Sequence, residues 1–128
     1  MAATSLTRLR IAVLADPELP VPPVLYGGIE RVIHFLVEGL AARGHDVTLF
    51  AHRDSAAACR IVPYPGLSSH SRVDLLRNAA TVARHVLRGG FDLVHSFGRL
   101  AYLTPLALSR VPRLMSFQRP ITHASISQ

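Results

Sequence analysis

The sequence predicts an α/β fold, an open, Rossmann-like parallel sheet with helices on both faces, and three observations carry that prediction. Short, continuous apolar runs recur along the chain, as in strands buried on both sides. Between them lie longer segments whose apolar residues return every three or four positions, the period of a helix packed on one side. Glycines and prolines mark the junctions. Alternation of this kind belongs to strands laid parallel and joined by helices that cross over their faces.

The elements follow in order. Leu9 to Ala15 (LRIAVLA) is a buried strand that ends at Asp16-Pro17. Residues 16–27 hold Pro17, Pro20, Pro22 and Pro23, which forbid a helix and keep the chain extended until Gly27-Gly28. From Ile29 to Arg43 the residues Ile29, Val32, Ile33, Leu36, Val37 and Leu40 form the apolar side of a helix, with Glu30, Arg31, His34 and Glu38 on its polar side. Gly44 ends it. Val47 to Ala51 (VTLFA) is the next strand, so residues 9–51 form a right-handed βαβ unit.

Residues 53–59 are a loop, and Arg60 to Pro63 is a short edge strand beside Pro63 and Pro65. A second helix runs from about Ser71 to Arg88, with Val73, Leu76, Ala80, Ala83 and Leu87 expected inward and Gly89-Gly90 at its end. Asp92 to Ser96 (DLVHS) is a fourth strand, Arg99 to Ser109 a shorter helix and Arg113 to Phe117 a fifth strand. The 128 residues are expected to form a single domain, and the last ten read as a chain cut within a loop.

Composition narrows the function classes. The chain is 49% hydrophobic and 17% charged, which suits a buried core and excludes a disordered tail. Its uncharged runs are too short and too broken by proline to span a bilayer. No signal peptide is read at the start, where Asp16 ends a short apolar run, so the expected location is cytoplasmic. One cysteine, Cys59, excludes an internal disulfide, and the seven histidines are scattered without ligand spacing, so no metal site is expected. All 14 basic residues are arginine; residues 1–58 carry a net charge of −1 and residues 59–128 a net charge of +7. A basic half suits nucleic acid, an anionic membrane or a phosphorylated substrate. Nucleic acid is disfavoured, because no aromatic residues interleave with the arginines. Arg77, Arg84 and Arg88 fall on one stripe of the second helix beside His85, which is either a solvated face or a peripheral contact with an anionic membrane.

Ligands of open parallel sheets bind beyond the carboxyl ends of the strands, near the reversal of strand order. Residues 16–28, 95–99 and 117–123 should meet there. Gly27 and Gly28 at a helix N-terminus present unpaired N–H groups to an anion, or else only turn the loop into the helix. His95 at a strand end can hydrogen-bond a sugar hydroxyl or move a proton, or serve structure alone. Arg99 opposes the dipole of the helix it opens, which hints at an anion nearby. A P-loop is excluded because the chain has no lysine, and the dinucleotide fingerprint lacks its tight turn directly after the strand.

Three segments then carry a resemblance. Tyr26 to Val32 (YGGIERV), Gly39 to Ala51 (GLAARGHDVTLFA) and Phe91 to Gly98 (FDLVHSFG) together resemble the N-terminal domain of glycosyltransferase family 4, over most of residues 9–120. The resemblance implies half of a GT-B fold, in which two Rossmann-like domains face a cleft. It implies an acceptor-side domain, with Gly27 and Gly28 against the donor diphosphate or the acceptor. The nucleotide-sugar is a substrate, bound with the acceptor through a C-terminal domain bearing paired glutamates that this chain lacks. No other cofactor is implied. Transfer to a glycan, lipid or small molecule, with retention, is the expected reaction, and the fragment alone is expected to be inactive.

Many members of that family carry a second histidine after the fourth strand, where this chain has Phe97, and another after the fifth, where Gln118 stands. The resemblance therefore puts His95 and Gln118 forward as catalytic candidates. Phe97, Gly98, Arg99 and Arg119 join Gly27 and Gly28 as candidates for binding substrate or diphosphate. The exposed seam toward a second domain would favour a dimer. Two other readings stay open: a noncatalytic module that binds a glycan or lipid head group, and a dinucleotide-binding domain.

Overall fold

Ile11, Ala12, Val13, Leu14 and Ala15 are all buried, and a strand with no exposed face needs neighbours on both edges and cover on both sides. The computed structural model supplies both. It describes residues 8–23, 27–68, 70–98, 102–103, 106 and 109–116. Strand β1 (Arg10–Leu14) pairs in parallel with β2 (Asp46–Ala51) on one edge and β4 (Leu93–Ser96) on the other. Strands β3 (Arg60–Pro63) and β5 (Arg113–Met115) complete a parallel sheet in the order β3-β2-β1-β4-β5. The predicted fold class is the observed one. Strand order reverses between β1 and β4, which places the crevice of an open sheet at their carboxyl ends.

Alternation along the strands divides the core in two. Ile11, Val13, Val47, Leu49 and Ala51 face helix α1 (Gly28–Ala42), whose Ile33 and Val37 are fully buried among them. Ala12, Leu14, Phe50 and Val94 face helix α2 (Arg72–Gly89) through its Ala79, Val82 and Val86. A single crossover hand explains the split: α1 leads outward from β1 to β2, whereas α2 returns across the sheet to β4. Opposite directions with one hand put the helices on opposite faces. Each fully buried valine or isoleucine of this kind contributes roughly 1.5–3 kcal/mol.

The chain passes from β2 to β3 without a helix. Ser55 Oγ accepts from the Val21 N–H (2.9 Å), the Ala56 N–H donates to the Val21 carbonyl (2.8 Å), and the Ala58 N–H donates to Glu38 Oε2 (2.6 Å). These bonds tie residues 52–59 to the proline-bearing loop and to α1, and Val21 is buried in the α1-side core. At the opposite end of the sheet, Arg10 bonds Asp46 (3.2 Å) and the Gly89 carbonyl, with its guanidinium 5.2 Å from the centre of the Phe91 ring.

The inward face of α2 differs from the predicted one. Val73, Leu76, Ala80 and Leu87 are exposed and Ala83 is only partly buried; Asn78, Ala79, Thr81, Val82 and Val86 point inward, with Leu75 beside them. Two apolar stripes one position apart exist on this helix, and a buried polar residue decides between them. The Asn78 side chain accepts from the Gly66 N–H (2.8 Å) and donates to the Gly66 carbonyl (3.1 Å) and to Tyr102 Oη (3.2 Å). A buried amide so satisfied carries little penalty. Glu30, expected on the polar side of α1, is buried as well. The helix expected over 99–109 falls largely outside the described residues; Tyr102, Leu103 and Leu106 pack into the α2-side core.

Candidate active site

The carboxyl end of β1 delivers Ala15 and Asp16 to the point where strand order reverses, and β4 delivers Phe97 and Gly98 beside them. The Phe97 N–H donates to the Leu14 carbonyl (2.8 Å), continuing the pairing past both strands. A side-chain carbon built on Gly98 would lie 3.1 Å from the Ala15 carbonyl oxygen and 3.2 Å from Asp16 Oδ1. Glycine at 98 therefore keeps the base of the crevice made of backbone and one carboxylate. Tyr64, just beyond β3, donates its hydroxyl to the Ala15 carbonyl (2.7 Å) from a fully buried position. Burial, then Tyr102, then Asp16 push its pKa well above the ordinary value, so it remains a donor. Asp16 lies in the segment 16–28 that its position after the first strand brings to this end, though it is not singled out there; Tyr64 is not among the sequence candidates.

His95 projects from β4 on the α1 side. Its Nε2 lies 2.7 Å from Ser116 Oγ, just past β5, and its ring stacks on Phe97 with centroids 4.4 Å apart and planes 24° apart. Burial lowers its pKa below the usual 6.5, so the imidazole is neutral at neutral pH. Phe97 itself is buried in the α1-side core, with the His95 ring stacked against it.

Gly27 and Gly28 open α1. Gly27 has φ +128°, a conformation that side chains rarely adopt, and a carbon built on it would lie 2.6 Å from Glu30 Oε1 and 3.0 Å from Pro23. Gly28 faces open space within 4 Å. Glu30 thus folds back over the first turn, and its carboxylate offsets the positive end of the helix dipole. Gly98 meets Asp16, and His95 meets Phe97; Arg99, Gln118 and Arg119 lie outside the described residues. Cys59 is half-buried, and burial followed by the charge of Glu38 raises its pKa, so it is no thiolate nucleophile at neutral pH. Among the described residues no group of three His, Cys, Asp or Glu side chains is placed to hold a metal ion. Nor is any described helix long and apolar enough to cross a membrane.

Comparison with known proteins bears on this geometry. The family model described as Glycosyltransferase Family 4 matches residues 26–123. No curated protein matches. Among solved structures, AviGT4, a glycosyltransferase involved in avilamycin A biosynthesis, superposes with a TM-score of 0.60 at 22% identity, over 89% of this chain and 34% of that one. A glycosyltransferase from Rickettsia africae ESF-5 gives 0.63 at 16% identity, over 91% of this chain and 32% of that one. These likenesses concern the fold, and the chain spans about a third of the length of each.

Proposed function

The chain belongs to glycosyltransferase family 4, and on that premise we propose that residues 1–128 are the N-terminal, acceptor-side domain of a GT-B enzyme using a nucleotide-sugar donor. Its partner in this reading is a C-terminal domain that binds the nucleotide. The observation that carries the reading is the close approach of Gly98 to the Ala15 carbonyl and the half-buried Asp16 where strand order reverses between β1 and β4. Flat, glycine-lined backbone admits a sugar ring closely, and a carboxylate accepts its hydroxyls.

The residues divide the work. Glu30 disfavours a diphosphate at the start of α1 by like charge, so Gly27 and Gly28 face acceptor hydroxyls. His95, neutral and held by Ser116 and Phe97, hydrogen-bonds a sugar hydroxyl. Arg99, Gln118 and Arg119 supply the cationic and polar contacts to the leaving diphosphate. In transfer the bond from the anomeric carbon to the diphosphate oxygen breaks and one to the acceptor oxygen forms. The acceptor proton leaves with the nucleoside diphosphate, and the configuration is retained. Catalysis rests on positioning and on stabilising the departing charge. The setting is cytoplasmic, the acceptor a glycan, lipid or small molecule, and this chain alone is inactive.

Titration of the isotopically labelled chain tests this. Oligosaccharide acceptors should shift the amide signals of Gly27, Gly28 and Gly98, and no nucleotide-sugar should be consumed. Tight binding of NAD(P) at the same amides would overturn the glycosyltransferase reading. Sugar transfer by the 128-residue chain would overturn the claim that it is half of a site.

A further inference from the structure

Helix α2 carries an apolar face it does not use for folding. Its core contacts come from Ala79, Val82 and Val86, yet Val73, Leu76 and Leu87 stand 64%, 70% and 57% exposed on the far side, with Ala80 between them. At 100° per residue these four lie within a strip about 60° wide. Arg77, Arg84 and Arg88 line one flank of the strip and Arg72 the other, all four exposed. Among the described residues none of these arginines makes an ion pair. Asp74, the helix's one acidic residue, sits away from the strip at the first turn, against Gly66. His85 leaves the stripe altogether: its Nδ1 lies 2.9 Å from the Thr81 carbonyl and its ring meets Phe50 edge-on at 5.7 Å.

The charge pattern selects the occupant. A second copy of this face would set arginine against arginine around any shared apolar seam. A partner that takes the leucines and valine while offering negative charge on both flanks fits instead. An anionic lipid surface has that layering, with acyl chains beneath a sheet of phosphates. We propose that the outer face of α2 docks this protein on an anionic bilayer, the helix lying in the plane of the surface. Val73, Leu76 and Leu87 then enter the acyl boundary while the four arginines reach phosphates. Docking of this kind adds a site on the opposite face of the sheet from α1. It does not depend on the transfer reaction, because the oligosaccharide titration reads soluble ligands at other residues.

Cosedimentation of the chain with phosphatidylcholine vesicles, with and without phosphatidylglycerol, decides it. The chain should pellet only with phosphatidylglycerol and less as salt rises. Arg84→Gln should lower the partition about five-fold. Leu76→Asp should abolish binding with the circular dichroism and melting temperature unchanged, since Leu76 packs on nothing in the core. Leu87→Ser gives a second, milder apolar test. Equal partition to both vesicle types, no pelleting at low salt, or undiminished binding by Arg77→Gln/Arg84→Gln/Arg88→Gln would overturn the proposal. So would a chain dimer that Leu76→Asp dissolves while vesicles remain unbound.

Discussion

Asn78 on α2 hydrogen-bonds both polar groups of one residue, Gly66, whose N–H and carbonyl lie 2.8 and 3.1 Å from its amide. The pair is buried, so replacing Asn78 by leucine leaves two backbone groups without partners. Each orphaned group costs roughly 1–3 kcal/mol. Asn78→Leu should therefore lower stability by about 3 kcal/mol, seen as a fall in the urea midpoint with the slope unchanged.

Neighbouring glycines at the start of α1 should respond in opposite ways. Gly27→Ala forces a side chain into φ +128° and against Glu30 and Pro23, at a cost of about 1–3 kcal/mol. Gly28→Ala meets nothing within 4 Å and replaces a poor helix former, so stability should hold or rise by up to about 1 kcal/mol. The same substitution should weaken binding of an oligosaccharide acceptor. Thermal melts and the NMR titration together separate the two roles.

Stability should also fall in mild acid through His95. Its pKa in the folded chain lies below the ordinary 6.5 because burial penalises the charged ring. As pH drops through that ordinary value the unfolded chain takes up a proton first, so folding weakens until the folded ring titrates too. Above that window the group contributes nothing. Urea midpoints measured across the acid range should show a steeper decline for the native chain than for His95→Gln.

Tyr64→Phe removes the 2.7 Å bond to the Ala15 carbonyl and leaves that oxygen short of a partner at the base of the crevice. A loss of about 1–2 kcal/mol is expected. Because burial, Tyr102 and Asp16 hold the phenol protonated, its ultraviolet ionisation signal should appear only when the chain unfolds in alkali.

Strands and their order of appearance were legible because apolar runs such as RIAVL and VTLFA admit no other environment. Both helices were legible by period. The inward side of α2 was not, since Leu75 and Leu76, or Val86 and Leu87, are adjacent and equally apolar, and Asn78 reads as a surface residue until Gly66 is known to face it. Glu30 was misjudged for the same reason, because a carboxylate belongs outside unless a helix start receives it. At the site, Gly27, Gly28 and Gly98 could be chosen from position alone. Tyr64 could not, since its link to Ala15 spans strands that only the folded sheet brings together.

The position of β1 between β2 and β4 has a consequence for synthesis. Ala12 pairs with Val94 across more than half of the chain, so β1 leaves the ribosome long before its second neighbour exists. Until residue 96 has emerged, the run Ile11 to Ala15 keeps one bare edge, an apolar template for pairing with other nascent chains. A polypeptide halted before β4 is thus more exposed to aggregation than one halted after it, and slow, long-range closure at β1–β4 is the step a chaperone would guard.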